Sequence, residues 1–229
     1  MRKGNDRSGS SAGCHPRLLT RYAASVEQKG EPSRFVSRAG VKLEHALNEF
    51  DLDVTGLICA DFGCNVGGFT DCLLQRGAKL VYAVDTAYGV LEYKLRTDPR
   101  VVVLERTNAL YAEPPPEEHD FGGCGLVAID LGWTPQRLAI PAALRWLGKT
   151  PTSSIITLVK PHYELDKDEK RTLLIDGRLD PVEAERIFHR VLEEMPRLGA
   201  TVRATTRSPI TGGKSARRGR LHNPETYLD

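Results

Sequence analysis

The sequence predicts an α/β fold: an open, mostly parallel seven-stranded sheet with helices on both faces. Three observations carry this. Short apolar runs rich in β-branched residues alternate with segments of helical period along the 229-residue chain. Four of those runs lead into a charged residue, Asp61, Asp85, Asp130 and Lys160. The first run opens into a glycine turn and then a helix-compatible stretch, ADFGCNVGGFTD over 60–71. Ligands of open sheets bind outside the carboxyl ends of the strands, so these groups are predicted to face one crevice.

Taken in order, residues 1–33 are rich in Ser, Gly, Arg and Lys and read as a flexible basic arm, with a short helix around LLTRYAASVEQ. Residues 34–229 read as one globular domain. Ser37 suits the N-cap of AGVKLEHALNEF, where Leu43, Ala46, Leu47 and Phe50 recur at helical spacing. Lys42 sits at the edge of that stripe, where a lysine buries its stem and presents its amine beside whatever the helix packs on. LICADF (57–62) is the first strand, and the helix after the turn runs to about Arg76 and stops at Gly77. KLVYAVD (79–85) is the second strand and GVLEYKLRTD (89–98) a short helix. RVVVLERTN (100–108) is the third strand, patterned for burial on both faces and ending in Asn108.

The stretch 114–125, PPPEEHDFGGCG, is a loop. LVAIDLGW (126–133) is the fourth strand, and PQRLAIPAALRWL (135–147) a helix with Pro141 as a kink. SSIITLVKPHYE (153–164) is the fifth strand and delivers Lys160. Asp180, Pro181 and Glu183 supply an N-cap, an N1 proline and a capping box for a helix to about Leu198. ATVRATTRS (200–208) and ETYLD (225–229) complete the strands.

Composition narrows the class. A chain 40% hydrophobic and 27% charged fits one globular domain with short extensions. No run is long enough to span a bilayer, and the N-terminus lacks the apolar core of a secretory signal. The five cysteines form no C-x-x-C pair and read as reduced thiols. Together these features predict a cytoplasmic address. Residues 1–40 hold eight Lys/Arg against three Asp/Glu, and 203–229 hold six against two, in a chain of net charge +2. Basic ends on an acidic body suit a polyanionic partner, although solvated ends explain the same charge equally well.

The glycine turn narrows the ligand. No Gly-Lys-Ser/Thr follows it, which removes a Walker phosphate loop, and its G-x-x-x-G-G spacing is not the dinucleotide G-x-G-x-x-G. Asp61 would repel a pyrophosphate. An acid beside an open glycine turn suits a zwitterionic amino-acid tail, as in S-adenosylmethionine. Asp85 lies 24 residues after Asp61, at the strand end that holds ribose hydroxyls in open α/β nucleotide sites. Asn108 falls near an adenine edge. A plain strand-to-helix turn explains the glycines alone, but the two acids at this separation favour a nucleoside cofactor.

The segments SRAGVKLEHAL, DFGCNVGGFTDCLLQRGAKLVYAVD, RVVVLERTN, VAIDLGW and LVKPHYE resemble the TlyA (hemolysin A) group of FtsJ-like RNA methyltransferases, in the family's order, from about Arg34 onward. The resemblance implies a Rossmann-like class I methyltransferase using S-adenosyl-L-methionine. It implies cofactor contacts from Asp61, Gly63, Gly67, Gly68, Phe69, Asp85, Asn108 and Asp130. It also implies a Lys–Asp–Lys–Glu tetrad of Lys42, Asp130, Lys160 and Glu225. The reaction implied is ribose 2′-O-methylation of RNA, with ribosomal RNA as the partner and no membrane. A lysine becomes a base for a ribose hydroxyl only when its pKa is lowered, and burial or a second cation does that. Lys160 is the expected base.

The family carries a small RNA-binding module ahead of this domain, and the 33 arm residues are too few for one. The basic run KSARRGRLH before NPETYL is expected to share phosphate contacts with the arm. Two other classes stand beside the enzyme reading. One is a non-catalytic RNA- or ribosome-binding protein on a methyltransferase scaffold, which would not bind the cofactor. The other is a hemolysin-like membrane-active protein, which would leak liposomes.

Overall fold

The computed structural model describes residues 34–114 and 122–210, and the backbone of 226–228. Its elements in chain order are α1 (Ala39–Glu49), β1 (Ile58–Phe62), α2 (Gly68–Gln75), β2 (Leu80–Val84), α3 (Tyr93–Arg96), β3 (Val101–Leu104), β4 (Leu126–Ile129) and α4 (Gln136–Trp146). There follow β5 (Ser154–Val159), α5 (Pro161–Glu164), α6 (Lys167–Leu173), β6 (Leu174–Ile175), β7 (Arg178–Leu179), α7 (Pro181–Glu194), β8 (Thr205–Arg207) and β9 (Thr226–Leu228). A 3-10 turn, Met195–Leu198, continues α7.

Seven strands form one sheet in the order β3-β2-β1-β4-β5-β9-β8. The first five pair in parallel, and β9 runs antiparallel to both β5 and β8. The chain order reverses between β1 and β4, so the crevice of such a sheet opens beyond the ends of those two strands. Strand side chains alternate between faces, and the core divides accordingly. Cys59 joins Leu43, Leu47, Phe69 and Leu73 on the α1/α2 face. Ala60 and Phe62 join Ile140, Trp146 and Val191 on the α4/α7 face. There the Trp146 ring meets Phe62 and Tyr82 edge-on, at 5.5 and 5.6 Å between centroids.

The predicted fold is observed, with local corrections. The N-cap of α1 is Arg38, and Ser37 supports the first turn from one place earlier, accepting from the Ala39 N–H at 3.3 Å. The helix predicted over 89–98 contracts to α3, because Gly89 takes a left-handed φ of 69° and Leu91 turns into the core. The strand predicted over 100–108 stops at Leu104 and is only half-buried, since β3 is a sheet edge. The strand predicted over 126–133 stops at Ile129, and that predicted to Glu164 stops at Val159. In the second case Pro161, with its fixed φ and no N–H, starts α5 instead. Helix α4 runs through Pro141.

Asp180 does cap α7, accepting from Val182 N–H at 2.8 Å, while Glu183 turns to Arg186 rather than closing a capping box. The helix α6 and the β6–β7 hairpin lie in a stretch for which the sequence reading assigned nothing. A capping box does occur there, between Asp166 and Glu169.

Candidate active site

The glycine turn after β1 is held from three sides, and each glycine answers a different neighbour. Gly63 has φ 91°, and a Cβ there would stand 2.8 Å from the Asp130 carbonyl oxygen. At Gly67 a Cβ would strike Leu95, and at Gly68 it would strike Ser37 and come within 2.9 Å of the Gly40 nitrogen. The start of α1 therefore lies directly on the start of α2, a closeness that only glycine permits.

Beneath the turn, Asp61 is fully buried. Its Oδ2 accepts from the Thr70 N–H at 2.9 Å and from Thr70 Oγ1 at 2.7 Å, while Oδ1 is buried with no hydrogen-bond partner among the described residues. Burial pushes its carboxyl up to about 7, against the two Thr70 bonds and with help from the nearby Asp130 and Asp85 charges. Above the turn, Asp85 follows β2. Its Oδ2 accepts from the Asn65 N–H and its Oδ1 from the Ala87 N–H, both at 2.8 Å. One carboxylate thus fixes the glycine turn and its own loop, and retains acceptor capacity beyond these two bonds. Asn108 lies beyond the end of β3, exposed, with its side chain accepting from the Leu110 N–H.

On the other side of the turn, Lys160 Nζ donates to Asp130 Oδ1 and, at 3.3 Å, to the Leu131 carbonyl. The two side chains are 12% and 21% exposed, shielded but reachable from the crevice. They follow β5 and β4, which are adjacent and in parallel register. Neighbouring strands are about 4.8 Å apart, so Asp85 and Lys160 stand roughly 14 Å apart across the strand ends. A nucleoside with an amino-acid tail spans such a gap.

Lys42 is buried in the first turns of α1, at 8% exposure. It lies between the contact of the helix start with Gly68 and the bond of His45 Nε2 to Thr206 Oγ1 on β8. Phe69 is in the core under α1, not on the crevice wall. Asp61, Gly63, Asp85, Asp130 and Lys160 thus gather at one set of strand ends. Glu225 and the basic residues Arg217, Arg218 and Arg220 lie outside the described residues, as do residues 1–33.

Sequence reasoning passed over the aromatic groups beside Lys160. Trp133 is 81% exposed and takes a left-handed φ of 59°. Its ring lies 4.9 Å from that of Tyr163, which carries Lys160 Nζ at 5.6 Å on its face and touches His162 at 4.1 Å. Burial, with Lys160 and Lys170 nearby, depresses His162 to about 4. Glu164, buried one turn further on, accepts from the Gln136 N–H with both oxygens at 3.1 and 3.0 Å and so caps α4; burial raises it to about 7. The segment carrying Lys160 is thereby tied to the helix that follows Asp130. The presence of three rings and an acid in KPHYE and GW was the available signal.

The orphaned buried oxygen of Asp61, the glycine cradle and the lone pairs of Asp85 together form a donor and acceptor set that fits S-adenosylmethionine.

Comparison with known proteins agrees with this geometry. The chain matches the FtsJ-like methyltransferase family over residues 35–218. It is 41% identical over 187 residues to the Bacillus subtilis protein named "Putative rRNA methyltransferase YqxC", covering 81% of this chain and 64% of that one. It is 43% identical over 135 residues to the Mycobacterium tuberculosis "16S/23S rRNA (cytidine-2'-O)-methyltransferase TlyA", covering 59% of this chain and 48% of that one. Among solved structures, a "Putative hemolysin" from Streptococcus thermophilus superposes with a TM-score of 0.76 at 36% identity, covering 87% of this chain and 68% of that one. The chain spans between about half and two thirds of the length of these two curated relatives.

Proposed function

The chain belongs to the FtsJ-like methyltransferase family, and on that premise we propose that it transfers a methyl group from S-adenosylmethionine to a ribose 2′-hydroxyl of ribosomal RNA. The observation that carries the reading is the Lys160–Asp130 pair at the ends of β5 and β4, beside the glycine turn. The TlyA relative, named for cytidine 2′-O-methylation of ribosomal RNA, supports the acceptor.

In this reading Gly63, Gly67 and Gly68 admit the cofactor to the backbone, and the free oxygen of Asp61 receives its ammonium group. Asp85 takes the ribose hydroxyls, and Asn108 meets the adenine edge. Phe69 acts from below by seating α2, and Asp130 borders the reacting end. When bound, S-adenosylmethionine supplies an electrophilic methyl group. Lys160 holds and removes the proton of the acceptor hydroxyl, and Asp130 keeps its amine aimed. Lys42 and Glu225 complete the positioning. Lys160 acts as a base only from its neutral amine, and the Asp130 carboxylate beside it favours the charged form, so a counteracting cation is required, the role given in this reading to Lys42. The exposed Trp133 ring, set against half-buried Tyr163, offers a face to the acceptor base beside Lys160.

Residues 34–229 form the catalytic domain, and residues 1–33 form a basic arm that contacts RNA phosphates together with Arg217, Arg218 and Arg220. Neutralising those three arginines weakens RNA binding and flattens its salt dependence; unchanged binding and slope would refute their role. The substrate puts the protein in the cytoplasm. Transfer of labelled methyl groups to ribosomal RNA tests the main reading. It should be abolished by Lys160→Ala while cofactor binding persists, and transfer to a base or to protein would exclude the ribose assignment. The hemolysin name of one relative raises a membrane reading. Among the described residues no helix is long and apolar enough to cross a membrane, and a liposome-leakage assay should stay at background.

A further inference from the structure

A second stacked pair lies on the crevice rim, away from Lys160. Tyr88 is 67% exposed, and the Arg106 guanidinium carbon lies 4.2 Å from its ring centroid. The two residues come from the loops after β2 and β3, neighbouring parallel strands, so they stand at the same end of the sheet as the site. Counted in strand spacings of about 4.8 Å, β2 and β3 lie roughly 14 and 19 Å from β5. The pair is therefore beyond direct reach of the reacting hydroxyl.

The pair is held in place. The Arg106 N–H donates to the Ala87 carbonyl at 3.2 Å, and the Thr107 N–H to the Asp85 carbonyl at 2.9 Å, so main-chain bonds join the two loops. The adjacent acid, Glu105, is occupied: Arg96 donates to both of its oxygens, and the Gly89 N–H donates to Oε1 at 2.8 Å. Arg106 is exposed and stacks on the ring. It also has φ 53°, a conformation that a long side chain adopts at a steric cost. Trp133, the exposed ring beside Lys160, is held in the same left-handed way. Two rim loops thus each present a planar group from a strained turn.

We infer that Tyr88 and Arg106 form a contact for the RNA strand flanking the reacting nucleotide: the exposed ring stacks a base, and the guanidinium meets a backbone phosphate. This rests on the RNA methyltransferase reading above. A guanidinium whose carbon lies 4.2 Å from a ring centroid makes its cation–π contact through the carbon and retains N–H donors for a phosphate. A tyrosine that stays 67% exposed with a cation on its ring is the kind of platform on which single-stranded bases stack. The charge complements RNA.

The test measures binding of the full chain to protein-free 16S and 23S ribosomal RNA at two salt concentrations, with cofactor affinity measured by calorimetry. Tyr88→Ala is expected to weaken RNA binding about tenfold, and Tyr88→Phe to restore it. Arg106→Ala is expected to reduce the slope of log affinity against log salt by about 1, and Arg106→Lys to recover the slope without the full affinity. Cofactor affinity should stay within about twofold in all four. Unchanged RNA affinity overturns the proposal, and so does a loss confined to the cofactor, which would make the pair a cover for the adenosine. Wild-type protein that neither binds nor methylates these RNAs overturns the underlying reading as well. Wild-type activity with unaltered variants overturns only this proposal.

Discussion

Lys160 and Asp130 form an ion pair across two adjacent parallel strands, and each stands on the first residue after its strand ends. The amine is therefore placed by sheet register, with little dependence on loop conformation. Lys160→Ala is expected to lower single-turnover methyl transfer by about 10³-fold, within the range for removal of a general base. Cofactor affinity should change less than threefold. Lys160→Arg should not rescue, because a guanidinium does not release a proton at neutral pH.

On the proposed reading Asp85 links the turn and the cofactor by charge. Asp85→Ala leaves the Asn65 and Ala87 N–H groups without their acceptor and, on the proposed reading, removes the partner of the cofactor ribose. Each charge-assisted bond is worth about 1.5–3 kcal/mol, so cofactor affinity should fall by at least tenfold in calorimetry. Thermal stability without cofactor should fall far less, as the loop is partly exposed.

Gly68→Ala tests the contact of α1 with α2. The new methyl group would overlap Ser37 Oγ and crowd the Gly40 nitrogen. Overpacking of this kind costs about 1–3 kcal/mol. Denaturant unfolding should show that loss, and methyl transfer should fall too, because Lys42 rides on the displaced helix.

Stability should depend on pH through Glu164. Its folded pKa, about 7, exceeds the ordinary carboxyl value of 4.5. The folded state therefore binds the extra proton between those values, and stability is lost as pH rises through 7. His162, depressed to about 4, acts oppositely, and its contribution is lost as pH falls from 6.5 to 4. Comparing wild type with Glu164→Gln isolates the first effect. The amide oxygen still caps α4, and the variant should lose roughly 2 kcal/mol less than wild type between pH 5 and 8 in denaturant titrations.

The sheet was legible because its strands are buried and charge-ended, which marks both their identity and their polarity. Asp61, Asp85, Asp130 and Lys160 could be placed at one crevice from that pattern alone. The strand boundaries were not legible, since the runs over 100–108 and 126–133 stay apolar past their true ends. The chain turns out of each strand through a left-handed residue, Arg106 and Trp133, where the side-chain type gives no hint of positive φ. The β6–β7 hairpin was missed although Asp176–Gly177, both left-handed, is a recognised two-residue turn pair. Its strands are two residues each, too short for an alternating pattern to register. The half-buried histidine and buried glutamate of KPHYE depend on packing against α4 and α7, which no local pattern encodes.

The position of β9 has a consequence for the order of assembly. It is the last strand in the chain but lies between β5 and β8 in the sheet. During synthesis β8 emerges with no strand to join, and β5 keeps an open edge, until residues 226–228 leave the ribosome. The five parallel strands and their crevice can form by then. A chain stopped short of β9 would expose an unpaired edge of the kind that seeds self-association, so late truncation should show itself first as insolubility.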